Sequence, residues 1–215
     1  MERAKTPKEN NDMWSPLYKI ATSLYVACLL SSCAGAGSTA PTRYYLIDPA
    51  EYPSASLKSV RPLSIEITSL HIPQYLERFH IATRSSKSQL EFSESNQWGE
   101  NLRKNLLRTM ARNLSTLLST MDIGTPLNRS ASLPDYRVQI HIEQFEQESN
   151  NRVKLVARWQ FSGGPQSGPS VVFSAELQNQ ETIKKKNYEQ MVSVMRKLYG
   201  ELSKRIAETI IAQEK

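Results

Sequence analysis

The stretch from Asp135 to Phe161 limits the possible folds most sharply. In "DYRVQIHIEQF", Tyr136, Val138, Ile140 and Ile142 fall on one side, with Arg137, Gln139, His141 and Glu143 on the other. "RVKLVARWQF" continues the pattern with Val153, Leu155, Ala157, Trp159 and Phe161, and "VVFSAELQ" adds Val171, Phe173, Ala175 and Leu177. A strict period of two predicts half-buried strands with one covered face. The connections "EQESNN" and "SGGPQSGPS" are turn-rich, so the simplest topology is an antiparallel meander over residues 135–179. Earlier, "VRPLSIEITS" sets Leu63, Ile65 and Ile67 against Ser64, Glu66 and Thr68 in the same way.

Strands with one apolar face need a cover, and two segments have helical period. In "NQWGENLRKNLLRTMARNLSTLLS", Trp98, Leu102, Leu106, Met110, Leu114 and Leu117 recur every three or four residues, with Asn96 as the expected N-cap. The second helix is expected from about Tyr188 to Ala212. Met191, Met195, Leu198, Leu202, Ile206 and Ile210 share its apolar face, and Asn187 with Gln190 resembles a capping box. Both methionines read as core rather than ligands. Gly200 inside that helix costs about 1 kcal/mol against Ala, so a close contact or a bend is expected there. The fold class is therefore α+β, a mainly antiparallel sheet with two long helices packed on one face. Strand order is not readable from the pattern.

The N-terminus carries different information. The run Ile20 to Leu30 behind Lys19 is too short to cross a bilayer, which takes ~20 apolar residues, and fits a signal-peptide h-region of about 7 to 15. A short core helix is the alternative. "MERAKTPKENND" mixes three basic and three acidic residues and is long for an n-region, which makes Met13 a candidate start. Next, "Leu30-Ser31-Ser32-Cys33" resembles the bacterial lipobox. On that pattern the Cys33 thiol takes a diacylglycerol, the chain is cut ahead of it, and the new amine is N-acylated. The chain has two cysteines, and Cys28 would leave with the signal, so Cys33 would stand alone and no disulfide could form. A plain signal peptide with a spare thiol is the competing reading. Two acyl chains hold a protein stably where one holds marginally.

Ala34, rather than Asp, after the cysteine resembles the sorting signal for the outer membrane. "AGAGSTAPT" then has the composition of a flexible linker, reaching at most ~30 Å at ~3.3 Å per residue. The expected domains are a signal peptide over 1–32, a lipidated N-terminus and linker over 33–42, and one α+β domain over 43–215. Removing the four Lys/Arg and three Asp/Glu of residues 1–32 lowers the net charge from +6 to +5. The basic residues are dispersed apart from Lys184 to Lys186, a run that reads as a solvated loop. No aromatic platform accompanies it, so nucleic acid is not an expected partner.

Catalytic constellations are not found in the sequence. His71, His80 and His141 are isolated, with no second ligand at metal-binding spacing. His141 lies on the polar side of its strand. Gly163, Gly164 and Gly168 lack the Lys-Ser/Thr and helix of a phosphate loop, and no nucleophile elbow is present. Glu143 with Glu146 reads as a pair of surface carboxylates. The expectation is therefore no enzyme, no catalytic residues, no metal and no cofactor beyond the acyl groups on Cys33. The stretch "HIPQYLERFHIATR", 71–84, has two readings: a strand-to-strand crossover with its aromatic in the core, or a loop that shapes a contact surface.

In order along the chain, "RYYLID" follows the linker, "IPQYLERFHIATR" places Pro73, Tyr75, Leu76, Arg78 and Arg84, and "NQWGENLRKNLLRTMARNL" opens a helix after Trp98. "YEQMVSVMRKLYGELSKRIAETI" closes the chain. This ordered set resembles the PqiC-type (YmbA-like) ABC-type transport auxiliary lipoproteins linked to MCE proteins, over nearly everything after Cys33. Two departures, Arg78-Phe79-His80 where the family has Arg-Pro-Gln and Gly99 after the tryptophan, bear on local loop geometry.

The resemblance implies an outer-membrane, periplasm-facing, non-catalytic subunit of an intermembrane lipid transport system that supports envelope integrity. It implies docking onto the tunnel of an MCE-domain protein and a homo-oligomeric ring. Tyr44, Tyr45, Pro73, Tyr75, Leu76, Arg78, Arg84 and Trp98 become the partner or motif residues. A lipoprotein regulator of peptidoglycan synthesis or envelope assembly is the alternative, and a lipoprotein hydrolase a third.

Overall fold

Strand β6, Tyr136–Gln147, organises the sheet, because three other strands pair with it. The computed structural model describes residues 41–52, 57, 61–129, 133–163 and 170–214. The signal-peptide, start-site and lipobox expectations, Cys33 included, lie outside the described residues, as does most of the 33–42 linker. Along the chain come β1 (Arg43–Tyr45), β2 (Ile65–His71), a 3₁₀ turn (Gln74–Glu77), β3 (His80–Ser86), β4 (Gln89–Trp98) and α1 (Leu102–Leu118). Then follow β5 (Ile123–Gly124), β6, β7 (Val153–Gly163), β8 (Val172–Gln178) and α2 (Tyr188–Ala212).

The expected meander is present. β7 lies antiparallel to β6 along its whole length, and β8 lies antiparallel to β7. Gly163 ends β7 at φ 97°, where an added Cβ would stand 2.6 Å from the Asp135 carbonyl oxygen, so this turn admits only glycine. On the other edge of β6, β2 pairs in parallel from Ile65↔Tyr136 to His71↔His141. β3 rejoins that edge at Thr83↔Gln147. β4 then folds back on β3, β1 ends the sheet beside β4, and β5 ends it beside β2. Antiparallel pairing covers more residues than parallel pairing, and both helices pack on one face, as expected.

Three expectations need correction. Gln89–Trp98 is a strand, so α1 starts at Leu102 and its N-cap is Asn101, whose Oδ1 accepts from the Lys104 N–H at 3.2 Å. Asn96 is instead fixed within β4, its Nδ2 donating to Ser93 Oγ at 2.8 Å and its Oδ1 accepting from the Tyr45 hydroxyl at 3.1 Å. Val171 is 50 % exposed, because β8 begins at Val172 and the inward positions close only further along, at Ala175 and Leu177. On α2 Tyr199 is fully buried, as Leu202, Ile206 and Ile210 are, whereas Leu198 is only half-buried. The rest of α2 follows the expected stripe from Met191 to Ile210, with Asn187 Oδ1 accepting from the Gln190 N–H at 3.1 Å.

α1 also carries a polar stripe at Asn105, Thr109 and Asn113, all buried. It faces an extended strap, residues 47–52. Asn105 brackets Ile47, accepting its N–H at 2.8 Å and donating to its carbonyl at 3.2 Å, while the Thr109 hydroxyl donates to the same carbonyl at 2.7 Å. Asn113 accepts the Ala50 N–H at 3.0 Å and donates to Ser203 of α2 at 2.9 Å. The strap has no strand partner here, so these side chains satisfy its backbone. At Gly200 a Cβ would come within 2.5 Å of Ala50 Cβ, and the Gly200 carbonyl accepts from the Tyr52 hydroxyl at 3.1 Å. That is the close contact the mid-helix glycine implied. Pro41–Lys215 is one compact unit, and every buried apolar side chain described belongs to it.

Candidate functional site

Between His71 and Thr83 the chain leaves the edge of β6 and returns, as an arc. Pro73 starts the 3₁₀ turn, its carbonyl accepting from the Leu76 N–H at 2.9 Å, and Leu76 is buried in the core. β6 has a bulge opposite, where its register with β7 shifts between Ile142 and Gln144. Buried apolar positions run 136, 138, 140, 142 before it and 145 after it. Successive strand residues point opposite ways, so Phe145 stacks on Tyr199 of α2 at 6.0 Å while Glu146 turns into the arc.

Glu146 is fully buried. Its Oε2 accepts from the Tyr75 hydroxyl at 2.8 Å and from the Phe145 N–H at 3.0 Å, and its Oε1 accepts from Arg84 Nε at 2.8 Å. The Arg84 guanidinium lies 5.9 Å from the Tyr75 ring centre, at the outer limit of a cation–π contact. Burial, reinforced by the Glu146 charge and hydrogen bond, pushes the Tyr75 hydroxyl well above its usual range, so it stays a donor. Burial works against the Arg84 charge, but the hydrogen bond and charge of Glu146 outweigh it and hold its pKa above the ordinary arginine value. Both carboxylate oxygens are engaged, which makes this a closed lock.

Of the two readings of residues 71–84, the strand-to-strand crossover is the one the structure has. Tyr75 and Leu76 pack inward as a crossover would have them, while Arg78 sits 4.8 Å over the Phe92 ring and Glu77 pairs with Arg103 at 3.0 Å. Phe79 is left 58 % exposed. Its carbonyl accepts from the Trp98 N–H at 2.7 Å, and Trp98 is in register with Tyr45. On the far side of β4, Tyr44 of β1 is 67 % exposed and Leu46, just after it, is 42 % exposed, whereas Trp98 is buried and Tyr45 half-buried.

The structure brings Tyr75 and Arg84 together on one carboxylate and puts Tyr44 on the outer rim. It places Leu76, Trp98 and Tyr45 in or against the core. Glu146 is not the surface carboxylate the sequence suggested; only Glu143 is exposed, paired with Arg158 at 2.5 Å. The missed signal lay in "IHIEQFEQ", where Phe145 is apolar one step out of phase. All three histidines are exposed; His71 and His141 face each other with ring centres 6.2 Å apart. Among the described residues no group of three or more His, Cys, Asp or Glu could hold a metal ion, and no helix is long and apolar enough to cross a membrane.

Fold and site define an α+β domain whose internal charge is closed and whose arc and edge strand carry outward apolar side chains. The same fold occurs in the crystal structure of an uncharacterized protein, at TM-score 0.63 and 17% identity over 80% of this chain and 99% of that one. Protein XCC0632 from Xanthomonas campestris matches with TM-score 0.56 and 9% identity, over 80% of this chain and 94% of its own. Curated proteins give no match to the sequence. Residues 44–207 match the family model of the ABC-type transport auxiliary lipoprotein component, and the chain belongs to that family.

Proposed function

We propose that the chain is an outer-membrane lipoprotein, held by diacylglycerol and N-acyl groups on Cys33 and facing the periplasm. In this reading it is a non-catalytic docking subunit of an MCE-type intermembrane lipid transport system. The observation that carries the reading is the pairing of a rigid lock with an outward apolar rim. Glu146 has its oxygens occupied by Tyr75, Arg84 and a backbone N–H, which leaves it to fix the shape of the arc rather than to move protons. The arc leaves Phe79 exposed, and β1 with the residue after it leaves Tyr44 and Leu46 exposed, apolar side chains of the kind that mark contact sites. The family's description as a transport auxiliary component supports the same role.

Among the described residues β1 ends the sheet, and its outer edge there offers backbone groups to an added strand. Repeated in one direction among copies, such a contact closes into a ring when its rotation closes, and we propose a homo-oligomeric ring on that ground. The reading is tested with a photocrosslinking residue at Phe79 or Tyr44 in living cells. Capture of an MCE-domain protein is the expected result. Capture of a peptidoglycan synthase or assembly factor instead would favour a regulator of cell-wall synthesis. The anchor is tested separately: Cys33→Ala should leave an uncleaved or soluble protein, and unchanged membrane fractionation would refute it.

A further inference from the structure

A groove of about 380 Å³ runs along the outer side of α1, away from the arc lock. One wall is a stripe of cations. Lys104, Arg108 and Arg112 stand four residues apart, a spacing that puts them on one helix face, and all three are exposed. Glu100 holds Arg108 with both carboxylate oxygens. Among the described residues neither Lys104 nor Arg112 forms an ion pair. The opposite wall comes from the segment after α1 and carries apolar side chains among Thr125 and Asn128: Met121 is 94 % exposed and Leu127 is 61 % exposed.

We propose that this groove rests on an anionic bilayer surface. Lys104 and Arg112 meet the lipid phosphates, and Met121 and Leu127 enter the boundary between headgroups and acyl chains. Charge complementarity selects this occupant. Unpaired cations beside protruding apolar side chains match a layer that is negative outside and apolar a few ångströms in. An acidic protein segment would answer the cations and leave Met121 in water. Nothing in the proposal depends on Cys33 or on the partner proposed above.

The test uses Pro41–Lys215, which contains the whole described core and lacks the cysteine that would take lipid. Co-sedimentation is read with vesicles of phosphatidylethanolamine containing one quarter phosphatidylglycerol, and with neutral phosphatidylcholine vesicles. Binding is expected to the anionic vesicles, weakening between about 0.1 M and about 1 M salt as the screening length falls from ~10 to ~3 Å. Lys104→Gln and Arg112→Gln should each lower partitioning about fivefold. Met121→Asp should lower it about tenfold. All three positions are exposed, so circular dichroism and Tm should not change. Lys184→Gln with Lys185→Gln, on the loop before α2, should leave binding intact.

Equal binding to both vesicle types, binding to neither, or glutamine variants that bind like the parent would overturn the proposal. So would a dimer, seen without vesicles, that Met121→Asp dissolves, since a second copy would then occupy the groove. If Met121→Asp fails to fold, the two glutamine variants decide alone.

Discussion

Between α1 and α2, neutral amides and hydroxyls hold the strap, whereas under the 71–84 arc a single carboxylate holds a tyrosine and an arginine. Both regions bury polar groups, and both satisfy them. They differ in what remains when one member is lost. A neutral hydrogen bond contributes only about 0.5–1.5 kcal/mol net, and several act side by side along the strap. A buried carboxylate deprived of its cation is left charged in a poor solvent, which costs far more. The seam is therefore expected to yield gradually and the lock abruptly.

The largest expected effect tests that difference directly. Arg84→Met should destabilise the domain by about 3–5 kcal/mol in urea unfolding, because Glu146 stays buried without its partner. The triple variant Tyr75→Phe, Arg84→Met, Glu146→Met should recover part of that loss, since no unpaired charge remains and only the Phe145 N–H loses its acceptor. If the single variant is as stable as the parent, the lock is not closed in the way described.

The seam predicts less. Asn113→Ala removes the acceptor of the Ala50 N–H and the donor to Ser203, and should cost about 1–3 kcal/mol. If its loss equals that of Arg84→Met, the contrast between the regions fails.

The smallest effect is expected at an exposed ion pair belonging to neither region, and it depends on pH. The Arg61 guanidinium, 2.7 Å away, holds the Asp135 carboxyl below its ordinary value of 3.8; burial opposes this and the Ser64 N–H assists. A carboxylate with a depressed pKa adds stability that is present above 3.8 and fades as pH falls through the folded value. The stability difference between the parent and Asp135→Asn should therefore shrink below pH 3.8, read as converging urea midpoints. A constant difference across that range would rule out the linkage.

These regions also mark where the sequence could be read. The meander from Tyr136 to Leu177 was legible because its pairs are close in sequence and its alternation is strict. The bounds of α2 were legible because a cap at Asn187 coincides with the start of an apolar stripe. β4 was not, since "QLEFSESNQW" is largely polar and its half-buried positions depend on β1 and β3. The parallel pairing of β2 with β6 joins residues about seventy positions apart, and periodicity carries no trace of that. Glu146 stayed hidden for the same reason. Tyr75 lies 71 residues from it and Arg84 lies 62, and only the out-of-phase Phe145 hinted at the bulge that turns the carboxylate between them.

The strap has a mechanical consequence. Residues 47–52 lie just downstream of the segment that enters the domain at Pro41. A pull arriving there must first unzip three residues of β1 from β4. It then acts on side chains spaced along α1 and on the Tyr52 hydroxyl at Gly200. Those bonds share the load instead of failing singly, and they pass it to both helices together. Once that short margin of the sheet has come away, tension on the leading end is thus delivered to the two long helices where they brace each other.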